Sequence, residues 1–260
     1  EGTDIDIQAR RAVLRSISDL ATFGSTPICV FTAMSLPSTF KQQDFDQIAE
    51  GYRKALVEYD IFLAGGDITS HEGLPIFSVT AFGANANKEL GRNKTKPGDL
   101  IVVSGSIGDS FLGLEILKNN LKVSSLEEEN LIKKFLIPEP KIELGKDIKS
   151  FANSIIDISD GLLSELNHLC ENSGVGSEVY IRDIPISSTA KNYIASNLYN
   201  YKDLLSGGDD YELLYTIDPK DKALIDDNSF IIGKINSDKK IILYSEEGKS
   251  IDIKNEIIGY

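Results

Sequence analysis

Short apolar runs of β type alternate with amphipathic helical stretches along almost the whole chain. That alternation restricts it to an α/β or α+β fold. A helix is predicted over residues 8–24, where Ala12, Val13, Ile17, Leu20 and Ala21 recur at helical spacing and Gly24 stands as the stop. Strand patterns follow at 28–34, 61–64 and 75–82, with a helix at 44–59 between the first two. After residue 99 the pattern predicts helices at 108–118, 126–135, 142–151 and 160–170, and strands at 100–103, 155–156, 178–181, 212–217, 230–235 and 240–244. Several of these strands follow one another with no helix between them, so antiparallel pairing is expected in a mixed sheet. Lys96-Pro97-Gly98-Asp99 is the predicted boundary, because proline and glycine together stop one element and restart the chain. Two α/β units are expected, 1–98 and 99–260.

Charge narrows the partners. The formal net charge of −13 argues against nucleic acid and anionic membrane surfaces. An acidic protein holds phosphates only where cations intervene, and Mg²⁺ joins carboxylate to phosphate oxygens. Solubility alone explains the same excess of acid. Cys29 and Cys170 sit among apolar neighbours and read as small core residues in a reducing, cytoplasmic setting. No run of about 18 apolar residues is present, so no membrane span is expected. The chain opens on Glu1 with no signal-peptide pattern, and is expected to lack part of its natural N-terminal segment.

The chemistry is concentrated where glycine meets aspartate beside apolar runs, which happens four times. Gly65-Gly66-Asp67 ends a short strand, where two glycines would permit a tight turn and Asp67 would offer oxygen ligands; taken alone, the motif reads better as a plain solvated turn. Ser104-Gly105-Ser106-Ile107-Gly108-Asp109 leads a strand into a helix and either presents N–H groups to an anion or is ordinary helix capping. It is neither a Walker loop nor a dinucleotide fingerprint. Asp157-Ile158-Ser159-Asp160-Gly161 places two carboxylates at a strand-to-helix corner, a suitable pair for one hard cation. Capping explains Asp160, but Asp157 interrupts an apolar strand and needs a partner. Gly207-Gly208-Asp209-Asp210 sets two acids side by side, unfavourable unless something positive lies between them. His71 and His168 lack metal-ligand spacing, and no serine or cysteine nucleophile motif occurs. Carboxylates and glycine loops suit phosphoryl transfer, where positioning and charge neutralisation dominate.

Taken together, Gly65-Gly66-Asp67-Ile68-Thr69, Asp157-Ile158-Ser159-Asp160-Gly161-Leu162 and Ser206-Gly207-Gly208-Asp209-Asp210-Tyr211-Glu212-Leu213 resemble the signatures of the thiamine-monophosphate kinase family. Ser18-Asp19-Leu20-Ala21-Thr22-Phe23-Gly24 resembles its "SDLAxxG" helix end, and Lys96 to Asp99 followed by Ser104-Gly105 its interdomain crossing. The resemblance implies an N-terminal aminoimidazole ribonucleotide synthetase-like ATP-binding domain that dimerises, and a C-terminal α/β domain. It implies ATP as phosphoryl donor, Mg²⁺ between its phosphates and aspartates, and thiamine monophosphate as acceptor. On that basis Asp19, Asp67, Asp157 and Asp160 look like metal ligands. Gly65, Gly66, Asp67, Arg92, Ser159 and Asp160 look like nucleotide contacts, with Arg92 and Asp160 at the transferred group. Gly207, Gly208, Asp209, Asp210 and Tyr260 look like the acceptor side.

Departures are visible. The family's upstream "GDD" and "STD" motifs are absent, and Lys141 stands where an arginine is usual after Pro138-x-Pro140, keeping the charge but losing the fork. A different ATP-dependent synthase of the same superfamily, such as selenophosphate synthetase, and a non-catalytic nucleotide- or metal-binding relative are the alternative expectations.

Overall fold

In the computed structural model, residues 3–85, 90–119 and 125–252 are described. Helix α1 (Ile5–Ala21) forms because Ala9, Val13, Leu14, Ile17 and Ala21 line one side at three- and four-residue spacing, and all are fully buried. It stops where Gly24 turns left-handed (φ 55°) and the Ser25 N–H reaches back to the Leu20 carbonyl at 3.1 Å. Helix α2 (Gln42–Glu58) crosses α1 at Gly51, where a Cβ would lie only 2.1 Å from the Asp6 carbonyl oxygen. Both helices cover one face of a three-stranded sheet made of β1 (Thr26–Pro37), β2 (Phe62–His71) and β3 (Ile76–Ala84). Strand β1 is central, parallel to β2 and antiparallel to β3.

The second sheet is built from β4 (Leu100–Ser104), β5 (Ala152–Asp157), β6 (Gly176–Tyr180), β7 (Leu213–Ile217), β8 (Ser229–Asn236), β9 (Ile241–Tyr244) and β10 (Ser250–Asp252). Its order is β10-β9-β6-β8-β4-β7-β5, and every neighbouring pair is antiparallel except β6 with β9. Strand alternation feeds two cores. Ile101, Val103 and Ile156 point to the side covered by α3 (Asp109–Lys118), α4 (Leu126–Leu136), α6 (Leu162–Ser173), α7 (Ser188–Ala195) and α8 (Tyr201–Ser206). Val102, Ile155, Leu213, Tyr215 and Ile217 point to the other side, where α5 (Ile142–Ile148) and the end of α1 pack.

Helix α1 therefore serves both units. Leu14 and Ile17 belong to the first core and Ala21 to the second. The contact is close because Gly145 of α5 has no side chain; a Cβ there would sit 2.2 Å from the Ala21 carbonyl oxygen. This junction lays the polar stripe of α1 against the loops that end β5 and begin β7.

Two predicted elements change in shape. Strand β2 does not end before Gly65 but runs on to His71, paired with β1 through Gly65, Gly66 and Asp67. The helix expected from Asp160 begins at Leu162, because Gly161 takes φ 95°, ψ 150°. The short helices α7 and α8 were not predicted; each sets one short apolar stripe on the core and is capped, with Ser187 accepting from the Ala190 N–H and Asn200 from the Asp203 N–H.

Candidate functional site

The site is built where two loops are laced together beside α1. Strand β5 ends at Asp157, and Ile158 to Gly161 turn into α6. The segment Gly207 to Glu212 lies alongside. The Ile158 N–H donates to the Glu212 carbonyl (2.8 Å), the Tyr211 N–H to the Ile158 carbonyl (2.9 Å) and the Asp209 N–H to the Ser159 carbonyl (2.8 Å). The glycines make this approach possible. A Cβ on Gly208 would fall 2.3 Å from the Ser159 carbonyl oxygen, and one on Gly161 would fall 2.7 Å from the Ser206 backbone. Asp209 (φ 71°) and Tyr211 (φ 52°) are both left-handed, a conformation that costs non-glycine residues about 1–3 kcal/mol each when sparsely populated.

Helix α1 supplies the opposite wall. Arg11, Arg15, Ser18, Asp19 and Thr22 recur at helical spacing along its polar stripe. Ser18 Oγ donates to Asp157 Oδ2 at 2.7 Å, with both residues buried. Burial pushes the Asp157 carboxyl above the usual range; Ser18 opposes this, Asp19 adds to it, and the residue's own backbone N–H and Arg92 oppose it. Asp157 is thus a buried acid with one hydroxyl partner, a like charge nearby and a single distant cation. Arg11 Nη2 pairs with Asp209 Oδ1 at 2.9 Å, and its guanidinium lies 4.1 Å from the Phe135 ring centroid. Burial lowers the Arg11 pKa, with Asp209 opposing. Tyr211 Oη donates to Asp209 Oδ1 at 3.0 Å. Arg92 is exposed and, with Gly91, Asn93, Thr22, Phe23, Ile155 and Asn172, lines a cavity of about 410 Å³ at the junction.

The expected residues are not all brought together. Asp19, Asp157, Asp160 and Arg92 share the region around the end of β5. Asp67 does not join them. It lies mid-strand in β2, opposite Ala33, and no hydrogen bond or ion pair links it to the other three acids among the described residues. Gly65 and Gly66 form no turn; a Cβ on Gly66 would lie 2.3 Å from the Thr32 carbonyl oxygen, so that glycine serves close strand pairing. Among the described residues, no group of three or more His, Cys, Asp or Glu side chains is close enough to cage a metal. Within this chain Asp19 and Asp160 stand in the neighbourhood of Asp157, and Asp67 stands in β2. Tyr260 lies outside the described residues.

Asp210 has a second role that its position in the sequence hides. It accepts from the Gly108 N–H at 2.8 Å and the Ser110 N–H at 3.2 Å, closing the N-terminus of α3. Burial pushes its carboxyl up to about 8; the two N–H donors oppose the shift, and Asp109 and Glu212 add to it. The open anion site considered for that helix start is therefore filled by the protein's own acid. Asp109 is held by Lys134 (2.6 Å), Ser106 (2.6 Å) and Ser187 (2.6 Å), which makes it a structural node. Ser159 Oγ donates to Glu165 Oε1 at 3.2 Å, and the Asp160 N–H donates to the same oxygen at 3.2 Å. Lys141 stands 3.4 Å from Glu212 and 3.3 Å from Glu139, so it neutralises a buried acid behind the loop.

Ser18, Arg11, Arg15 and Glu165 were missed as site residues. The i, i+4 stripe of Arg11, Arg15 and Asp19 was legible in the helix pattern, but which loop it would face was not.

Comparison with known proteins agrees with this architecture. Residues 3–84 match the family described as AIR synthase related protein, N-terminal domain, and residues 96–245 its C-terminal domain. The chain is 38% identical to the thiamine-monophosphate kinase of Haemophilus influenzae over 82% of its own length and 64% of that protein. It is 30% identical to the Aquifex aeolicus thiamine-monophosphate kinase over 94% of its length and 78% of that protein. A solved structure of AaThiL complexed with AMPPCP and TMP superposes with a TM-score of 0.86 at 28% identity, covering 96% of this chain and 79% of that one. The chain thus spans about two thirds of the length of several of the curated relatives it matches, 64% to 66% for the Haemophilus influenzae and Escherichia coli proteins.

Proposed function

This chain belongs to the thiamine-monophosphate kinase family of AIR synthase related proteins, and we propose that the protein transfers the γ-phosphoryl group of ATP to the phosphate of thiamine monophosphate, giving thiamine diphosphate. The observation that carries this beyond similarity is Asp157, a buried strand-end acid with one hydroxyl partner, facing Asp19 across the junction and supported by loops whose glycines allow a ligand's close approach.

The acceptor needs little activation. A phosphomonoester has a second pKa of about 6, so its oxygen is largely ionised at neutral pH and no strong base is required. The obstacle is repulsion between two anions, about 1 to 4 kcal/mol per unit-charge pair at 4 Å in high effective dielectric. Magnesium fits the acids present, since Mg²⁺ is usually held by one or two carboxylates together with substrate phosphates. Asp157 and Asp19, with Asp160 beside them, would hold it, and it would neutralise the phosphate charge and align the in-line transfer. Arg92 flanks the same region and offers a cation to the donor's phosphates. Ser18 fixes the rotamer of Asp157, and Glu165 fixes the turn that presents Asp160. Asp209, held by Arg11, belongs to the acceptor side.

The division at residues 98 and 99, nucleotide contacts by Gly65, Gly66 and Asp67, a homodimer and a cytoplasmic setting belong to the same proposal and rest on the family resemblance. The test is ATP consumption that requires both Mg²⁺ and thiamine monophosphate; consumption independent of thiamine monophosphate overturns it.

A further inference from the structure

The acceptor side holds one more cation than Asp209 needs. Arg11 is mostly buried, with a side chain 12% exposed, and is committed to Asp209 at 2.9 Å and to the Phe135 ring. Arg15, one turn further along α1, is different. Its Nε is 4.0 Å from the same Asp209 oxygen, at the limit of an ion pair, and its side chain is 56% exposed. Two guanidinium groups thus share one directly paired carboxylate, with Asp160 further off, in a chain whose net charge is −13. Asp209 is further occupied by the Tyr211 hydroxyl. Arg15 also shares a hydrogen bond with the Tyr211 side chain; a guanidinium has five N–H donors in a planar fork, so others on Arg15 are left for a ligand.

The place matters as much as the charge. Along α1 the order is Arg11, Arg15, Ser18, Asp19, Thr22, and each faces the loops at the end of β5 and before β7. Asp19 and Ser18 stand at Asp157, whereas Arg15 stands at Asp209 with Asp160 within its electrostatic reach. Arg92 lies at the far end, beside Thr22. The wall therefore reads cation, acids, cation. A donor triphosphate and an acceptor phosphate meeting over the central acids would each have an arginine at the outer end.

We propose that Arg15 binds the phosphate of the acceptor and sets its position for attack, so that it makes the site select a phosphorylated acceptor over the free alcohol. This rests on the kinase reading and adds to it a phosphate-recognising residue. The bond is a charge-assisted fork to a phosphate oxygen, the geometry for which arginine is suited and lysine only in part.

The experiment is steady-state kinetics of the full chain and its Arg15→Gln and Arg15→Lys variants, with Mg²⁺ present, varying ATP and thiamine monophosphate separately. Equilibrium binding of thiamine monophosphate and of thiamine is measured alongside. Arg15→Gln is expected to raise KM for thiamine monophosphate about 10- to 100-fold, while KM for ATP stays within about twofold. Arg15→Lys is expected to recover part of the loss. The preference of the wild type for thiamine monophosphate over thiamine should shrink in Arg15→Gln by the same factor. Because the side chain is more than half exposed, the variants should melt at the wild-type temperature. Unchanged KM for thiamine monophosphate in an active Arg15→Gln variant overturns the role of Arg15 and leaves the kinase reading intact. A wild-type protein with no turnover of thiamine monophosphate overturns both.

Discussion

Single residues at the site trade stability for chemistry. Asp157 is buried against one hydroxyl, and its carboxyl is raised above the ordinary range chiefly by that burial. Asp157→Asn keeps an acceptor for Ser18 and removes the buried charge, so it should abolish turnover while the melting temperature holds or rises. Ser18→Ala removes the side-chain hydrogen bond to that carboxylate and should cost about 1–3 kcal/mol in denaturant melts, with activity falling as well. Asp210 gives a pH test. Its folded-state pKa is raised, to about 8, above the unfolded carboxyl value. The folded protein then binds the extra proton between those values, and this group's contribution to stability falls as pH rises through that window. Melts from pH 5 to 8 should show stability declining with a slope that Asp210→Asn flattens; an identical slope in the variant would remove Asp210 as the cause. The aspartates were legible as candidates from glycine-aspartate spacing alone. Their division of labour was not, because Asp210 and Asp109 look like site acids in sequence and act as cap and node through partners 100 and 25 residues away.

At the scale of elements, the loop pair is held by backbone contacts that only glycine permits. Gly208→Ala puts a methyl 2.3 Å from the Ser159 carbonyl oxygen and should cost about 1–3 kcal/mol, with loss of activity exceeding the loss of folded protein at assay temperature. Thermal melts read beside kcat/KM check this. Most strands and long helices were readable, the helices from an apolar period of three to four residues and β4, β5 and β7 from continuous apolar runs buried on both faces. Strand β2 was not. A Gly-Gly-Asp sequence reads as a turn, yet parallel pairing with β1 carries the chain straight through it, with an irregularity in register beside Phe31. Helices α7 and α8 were missed because each carries only one short apolar stripe, Ala190, Tyr193 and Ile194 in the first and Tyr201, Leu204 and Leu205 in the second.

For the whole molecule, the decisive feature is that α1 belongs to both cores and turns its polar side to the loops of the second sheet. A sequence shows the stripe and the loops, but only the packing of Ala21 on Gly145 shows that they face one another. Gly145→Val should wedge α1 away from α5, lowering activity at least tenfold and broadening the unfolding transition as the two sheets lose their shared helix. The packing that brings Asp19 to Asp157 places Asp67 in β2, opposite Ala33, so the proposed reaction is centred on the acids at the junction. The most direct measurement is the Mg²⁺- and thiamine monophosphate-dependent release of ADP by the wild type and by Asp157→Asn under identical conditions. Robust release by the wild type with loss of at least a thousandfold in a folded Asp157→Asn variant is the expected result, the scale of removing a principal electrostatic stabiliser. Comparable rates in the two proteins would contradict it.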